Sequence, residues 1–179
     1  FDESIRRGED WELNLRIRQA GHTVWFDPQL AVTYWPRESW IRLARQFRAT
    51  GAWRGELVRR YGRRNGVRFF APPALVLLVA LAVIVGVLQV SGILSGVAAV
   101  IASVVYLPLI AYALLVVAMA LVPGRPTDPP RSARERIWTL AVLPTMHLSW
   151  GLGFLTGVLR GARDTVDASR LGSRNTPLP

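Results

Sequence analysis

Phe69 to Val122 reads FFAPPALVLLVALAVIVGVLQVSGILSGVAAVIASVVYLPLIAYALLVVAMALV. No charged residue stands between Arg68 and Arg125, and a helix needs only about 20 apolar residues to cross the hydrocarbon core of a bilayer. The run therefore predicts two crossings, Phe69–Val90 and Ile93–Val122, with Gln89, Ser91 and Gly92 as the polar break between them. Pro108 is expected to kink the second, because its ring removes a backbone donor and crowds the preceding turn. A signal peptide is a poor alternative, since the run lies mid-chain and is far longer than a leader's apolar region.

On the C-terminal side, Pro123 to Arg136 holds four prolines and four arginines, a composition that predicts an extended, hydrated loop. Hydrophobicity resumes over Ile137 to Leu159, interrupted by Thr139, Pro144, Thr145, His147 and Ser149. Residues 160–179 read as a polar, Arg-bearing, disordered tail. The positive-inside rule divides the options for 137–159. If the N-terminal part is cytoplasmic, two crossings return the 123–136 loop to the cytoplasm, which suits its arginines. A third crossing would put Arg160, Arg163, Arg170 and Arg174 outside, whereas a helix lying in the interface keeps them inside. Both options stay open, with a crossing placed first.

The net charge of +10 comes from 22 basic residues, every one an arginine, against 12 acidic ones. Those arginines crowd beside the apolar segments, where a membrane protein meets anionic lipid, which points to membrane lipid as a partner and not to nucleic acid. With no cysteine, disulfide scaffolds, thiolate metal sites and cysteine nucleophiles are excluded.

Residues 1–68 are charged and mixed, too few to bury a large core alone. Because the pattern is already under way at Phe1, the chain is expected to be the C-terminal part of a longer protein. In Asp10 to Ala20, Leu13, Ile17 and Ala20 fall at helical spacing, with Glu9, Asp10 and Glu12 at the favourable end of the dipole and Gly21 as a stop. Thr23–Phe26 and Ala31–Tyr34 read as short strands about an Asp27-Pro28 turn. From Glu38 to Tyr61, Trp40, Leu43, Phe47 and Leu57 recur on one face and Arg42, Arg45 and Gln46 on another, so 38–68 predicts a basic amphipathic helix at the interface.

These residues carry a resemblance. Phe1-Asp2-Glu3, then Gly8-Glu9-Asp10-Trp11-Glu12-Leu13 with Arg16, then Ala20-Gly21 and Trp25-Phe26-Asp27-Pro28, resemble the end of the catalytic domain of family 2 glycosyltransferases. Tyr34, Pro36-Arg37, Gln46 to Arg54 and the stretch His147 to Leu155 are similar to the sub-group of succinoglycan-type polysaccharide synthases. The resemblance implies an α/β fold, the C-terminal part of a GT-A nucleotide-diphospho-sugar transferase domain over residues 1–37, followed by α-helical transmembrane segments. It implies a cell-membrane, multi-pass, inverting enzyme with its catalytic part cytoplasmic. A nucleotide-sugar donor would pass its sugar to a lipid-linked or polysaccharide acceptor. A divalent metal, Mg or Mn, would be held mainly by an Asp-x-Asp motif upstream; none occurs here, so the chain alone is expected to be inactive.

By the same resemblance Asp10 is the general base. A sugar hydroxyl is a weak nucleophile until a nearby carboxylate takes its proton. Glu9 would orient the acceptor, Arg37 would fork onto the diphosphate leaving group, and Gln46, Trp53 and Arg54 would contact the acceptor. Two departures matter: many relatives carry His near Tyr34, and Gln46-Phe47-Arg48-Ala49 lacks the Gln-x-x-Arg-Trp spacing of processive synthases. Purely structural roles stand beside these. Asp10 could cap its helix, Glu9 and Glu12 could be surface charges complementing the dipole, Arg16 could pair with either, Arg37 could be a solvated loop residue, and His147 could be a packing histidine and not a contact to a lipid-linked acceptor. A non-catalytic membrane adaptor with a basic helix is the competing function.

Overall fold

A computed structural model describes residues 8–33, 39–62, 66–122 and 130–162, and every regular element among them is helical. The first, α1, is Glu9–Gln19. It is entered through Gly8 at φ 82 and left through Gly21 at φ 84, left-handed conformations that glycine adopts without a Cβ clash. Gly21 N–H donates to the Arg18 carbonyl and His22 N–H to the Ile17 carbonyl, both at 3.1 Å. These paired bonds satisfy the last turn and stop the helix where the glycine predicts.

The segment after α1 corrects the sequence expectation. The Asp27 turn forms, with its carboxylate accepting from Gln29 N–H at 2.9 Å, but the described residues contain no strand, and Thr23–Phe26 and Ala31–Thr33 pair with nothing described. Trp25 stands 91% exposed. A strand is defined by the ladder it joins, and β-propensity without a partner leaves an extended chain. Tyr34 lies outside the described residues, as do Phe1-Asp2-Glu3 and Arg37.

The longest contact of the fold joins α2, Trp40–Tyr61, to α6, Ala133–Arg160. Trp40 meets Trp138 with ring centroids 5.7 Å apart, while further along a Cβ added at Gly51 would meet the Trp150 carbonyl and one at Gly161 the Arg59 side chain. The contacts advance together along both chains, so the two helices run side by side in the same direction. Small residues make this possible. A Cβ at Gly51 or Gly55 of α2 would strike the Trp150 or Phe154 carbonyl, and one at Gly153 or Gly157 of α6 the Arg48 or Ala52 carbonyl. Backbones thus touch along two Gly-x-x-x-Gly rows, Gly51–Gly55 and Gly153–Gly157, the pattern that lets helices approach most closely. Ala52, Trp53, Leu57 and Ala162 form the core beside this seam, with Trp11 and Tyr61 packed on it.

The seam also buries charge. The Glu56 side chain is fully enclosed, and its two oxygens accept from Arg60 Nε at 2.8 Å and Arg59 Nε at 3.1 Å. Burial alone would raise this carboxyl, but the hydrogen bond from Arg60 and the Arg59 charge hold it below the ordinary 4.5. A depressed folded-state value contributes stability above the ordinary one, lost as pH falls through the lower value. This contribution to stability is therefore expected to persist down to about pH 4.5 and to be lost below it. Thermal melts of Glu56→Gln against wild type at pH 7 and pH 3.5 check this: the gap between them should narrow in acid.

After Gly62, a 3-10 turn at Val67–Phe70 leads into α3, Ala71–Val90, with Pro72 and Pro73 in the first turn, where a missing N–H costs nothing. The helix ends at the expected break, with Gly92 at φ 77. Gln89 there faces protein: its amide donates to the Ala99 carbonyl and Ser103 Oγ at 3.0 and 2.9 Å, and Tyr106 OH donates back at 3.2 Å. The second apolar segment comprises α4, Gly96–Ala102, a 3-10 turn at Ser103–Val105, and α5, Tyr106–Leu121. The irregular turn lies immediately before Pro108, whose ring crowds the carbonyl four residues earlier.

The 123–136 loop is shorter than its composition predicts. Ser132 Oγ accepts from Glu135 N–H and the Glu135 carboxylate from Ser132 N–H at 2.6 Å, a reciprocal capping box that starts α6 at Ala133. Ser132-Ala133-Arg134-Glu135 was the available signal. Pro123–Pro129 lie outside the described residues, as does the tail from Arg163. By length and composition Val67–Val90, Gly96–Leu121 and Ala133–Arg160 can each cross a membrane.

Candidate functional site

The site assembles where α1 meets α2 and the start of α3. Glu12, expected at the surface, is 1% exposed, and its Oε1 accepts from Arg16 Nε at 2.6 Å and from Tyr61 OH at 3.2 Å. It fastens α1 to the end of α2. Local sequence carried no sign of this, because burial of Glu12 depends on a tyrosine 49 positions away. Arg16 takes the structural role weighed for it.

Immediately before Glu12 in the chain, Trp11 faces Arg54 of α2. The Arg54 guanidinium lies between two rings, 3.8 Å from the Trp11 centroid and 3.9 Å from that of Phe69, with the residue 5% exposed. Such a stack retains a cation in a dry setting through the ring quadrupoles. Burial first, then the charge of Arg68, pull the Arg54 guanidinium down to about 10, and the Asp10 carboxylate works in the opposite direction. It stays protonated at neutral pH, and Asp10 lies within its electrostatic reach.

Around this stack opens a cavity of about 380 Å³ lined by Trp11, Asn14, Leu15, Arg18, Arg54, Arg68 and Phe69. Among the described residues its lining includes three arginines and no carboxylate. A second cavity, about 420 Å³, shares Trp11, Arg68 and Phe69 with the first and continues along Phe47, Thr50, Pro72, Met146, His147 and Trp150. Phe69 and Trp150 of its lining have ring centroids 6.3 Å apart, and Trp150 stacks in turn on Phe154 at 5.5 Å. The paired cavities are thus cationic at one end and apolar at the other.

Of the residues singled out from sequence, Asp10 and Glu9 occupy the first turn of α1, Asp10 exposed to solvent and Glu9 half-buried. Gly8 is the N-cap and no side chain caps the helix, so capping does not account for Asp10. Arg54 is in the cavity wall. Trp53 is a core residue at 1% exposure and lines neither cavity, and Gln46 is half-buried on α2, its carbonyl accepting from Thr50 Oγ1 at 2.9 Å. Sequence reasoning missed Trp11, Arg18, Arg68 and Phe69, whose convergence is tertiary. His147 meets Tyr112 OH at 2.8 Å and borders the apolar cavity. Among the described residues no three His, Asp or Glu side chains converge as a metal cage. The divalent ion implied by the resemblance would be held mainly by an Asp-x-Asp motif upstream of this chain.

The chain is similar to a protein of succinoglycan biosynthesis. Over 74 residues it is 30% identical to succinoglycan biosynthesis protein ExoA of Rhizobium meliloti (strain 1021), a stretch covering 41% of this chain and 22% of that relative. The chain therefore spans well under two thirds of the relative's length. No family model and no solved structure matches.

Proposed function

We propose that this chain is the acceptor-side and membrane-anchoring part of an inverting glycosyltransferase, which moves a sugar from a nucleotide-sugar donor to a lipid-linked or polysaccharide acceptor. The observation that carries it is the exposed Asp10 carboxylate in the first turn of α1, within electrostatic reach of Arg54 in the wall of the arginine-lined cavity and close to helices apolar enough to enter a bilayer. The likeness to a polysaccharide-biosynthesis protein supports the same class. In this reading residues 1–37 close an α/β GT-A domain whose sheet would pair the exposed 22–33 segment.

The chemistry asked of the chain is one proton transfer. Asp10 takes the proton of an acceptor hydroxyl as that oxygen bonds to the anomeric carbon, and the bond to the nucleoside diphosphate breaks on the opposite face, inverting the configuration. Held by backbone from Gly8 and by the buried Glu12, α1 presents this carboxylate in a constant place. In membranes bearing the enzyme that contains this chain, Asp10→Asn should bind the nucleotide sugar and fail to transfer it. Undiminished transfer would overturn the assignment.

The α2–α6 pairing bears on topology. α2 carries Arg42, Arg45, Arg48, Arg54, Glu56, Arg59 and Arg60 alongside α6 from Trp138 to Gly161. Placing so many charges at bilayer depth is costly, whereas a parallel helix pair at the interface leaves Arg42, Arg45, Arg48 and Arg59 wet. In this reading α6 lies in the interface, although it is also long and apolar enough to cross, and the arginines of 160–174 stay on the same side as the 123–136 loop. This chain has no cysteine, so single substitutions in it test this once any cysteine elsewhere in the enzyme is replaced. Thr127→Cys and Ser173→Cys should both resist an impermeant thiol reagent in intact cells and label after permeabilisation. Labelling of Ser173→Cys alone would mean that α6 crosses.

A further inference from the structure

Where α5 ends and α6 begins lies a third cavity, about 400 Å³, which shares no lining residue with the two beside α1. Met119 of α5 and Trp138, Val142 and Leu143 of α6 form its apolar lining, and Arg131 belongs to it just ahead of α6. We propose that this crevice seats one anionic phospholipid, with the lipid phosphate on Arg131 and one acyl chain along Met119, Val142 and Leu143. The site goes beyond the transferase reading and does not depend on it.

Charge supplies the first argument. The lining also holds a carboxylate, Glu135, but it is turned to the helix start, where it accepts from Ser132 N–H at 2.6 Å and from Ser132 Oγ at 3.0 Å. Thr139 Oγ1 is likewise taken, donating to the Glu135 carbonyl at 2.9 Å. Arg131 is exposed, and no hydrogen bond to a described residue holds its guanidinium, although Glu135 offsets part of its charge. Over residues 123–136 four arginines stand against Asp128 and Glu135, so a positive surplus remains after both carboxylates are counted. A zwitterionic headgroup would bring another cation to that surplus. A net-negative one neutralises part of it, with the guanidinium forked onto two phosphate oxygens.

Depth in the membrane supplies the second. A short charged connection, residues 122–132, joins α5 to α6, so α6 starts on the membrane face where α5 ends, whether it then crosses or lies flat. The crevice is therefore at headgroup level. Trp138 in its lining packs on Trp40 of α2 with ring centroids 5.7 Å apart, and tryptophan and arginine are the side chains that settle at this depth. Met119 and Trp138 remain 48% and 50% exposed, an apolar opening toward the surroundings of the helices. In a bilayer those surroundings are acyl chains, so a soluble peptide would have to displace lipid to enter, while a phospholipid enters with its phosphate already level with Arg131.

Lipid retention is the readout, measured by native mass spectrometry on the enzyme that contains this chain, purified in neutral detergent and titrated with phosphatidylglycerol or with phosphatidylcholine of the same acyl chains. The first phosphatidylglycerol should be held about fivefold more tightly than phosphatidylcholine, the effect of about one unit of headgroup charge near an arginine. Arg131→Gln, at an exposed position, should erase that preference, while Arg45→Gln, an exposed arginine of α2 outside the crevice, should leave it unchanged. Thr139→Phe, which fills the crevice, should lose the first tight phosphatidylglycerol with its melting temperature held near wild type. Glycerophosphoglycerol, the headgroup without chains, should not be retained. Equal retention of the two phospholipids would overturn the proposal, as would an equal loss in Arg45→Gln, which would mean attraction spread over the basic surface. Retention of the chainless headgroup, or undiminished phosphatidylglycerol on a folded Thr139→Phe, would overturn the acyl groove. A dimer that forms as lipid is stripped, and is blocked by Thr139→Phe, would give the crevice to a second copy of the chain instead.

Discussion

Asp10→Asn in the enzyme that contains this chain is expected to lower sugar transfer by about 10²- to 10⁴-fold, the loss typical of removing a general base. Stability should hardly change. Asp10 is the second residue of α1 behind the Gly8 cap and makes no capping bond, so only its favourable interaction with the helix dipole is lost, worth about 0.3–1 kcal/mol. Donor binding should be near normal, because the substitution keeps shape and removes only the proton acceptor. A rate assay at saturating acceptor, normalised to folded protein, separates the two effects. Retention of more than about a third of the transfer rate is far above what base removal allows and would send the search for the base elsewhere.

Gly153→Val is expected to be the most damaging substitution for the fold. A Cβ at this position would strike the Arg48 carbonyl and crowd Ala52 N, both backbone atoms, so no side chain can rotate away. The helices must separate along the whole seam. Overpacking usually costs about 1–3 kcal/mol, and a displaced backbone seam belongs at the upper end or beyond. The damage should spread to the site, because Arg54 sits on the α2 segment that this seam positions and Phe69 stacks on Trp150 of α6. The melting temperature in detergent should fall accordingly. Leu159→Val, at an exposed position of the same helix, should stay within about 0.5 kcal/mol. If Gly153→Val melted like wild type, the close α2–α6 approach would be wrong.

The helical anchors, α1 and α2 were legible because each obeys a local rule. The uncharged run from Phe69 to Val122 leaves a bilayer or an extensive apolar core as its surroundings, acidic residues before Leu13 and Gly21 after it punctuate α1, and Trp40, Leu43, Phe47 and Leu57 share the spacing of a helix. Asp10 was legible by resemblance to a known series of residues. The capping box at Ser132 and the paired glycine rows at Gly51–Gly55 and Gly153–Gly157 were present in the sequence as patterns too, but a glycine row names no partner. Only the tertiary structure joined the two rows to each other.

The rest depended on distance along the chain. Burial of Glu12 requires Tyr61, the cation clamp requires Trp11, Arg54 and Phe69 from three separate elements, and the apolar groove requires α3 and α6. No periodicity records such meetings, since hydrophobic spacing states which face is buried and leaves open what covers it. The strands anticipated at Thr23–Phe26 and Ala31–Tyr34 mark the converse limit, for β-propensity becomes a sheet only when a partner supplies the other half of each hydrogen bond. The sequence by itself determined where helices start, where a membrane can be entered and which carboxylate resembles a base. Packing between remote segments decided which arginines share a cavity, because charge and apolar surface combine into a site only after the chain has brought them within contact.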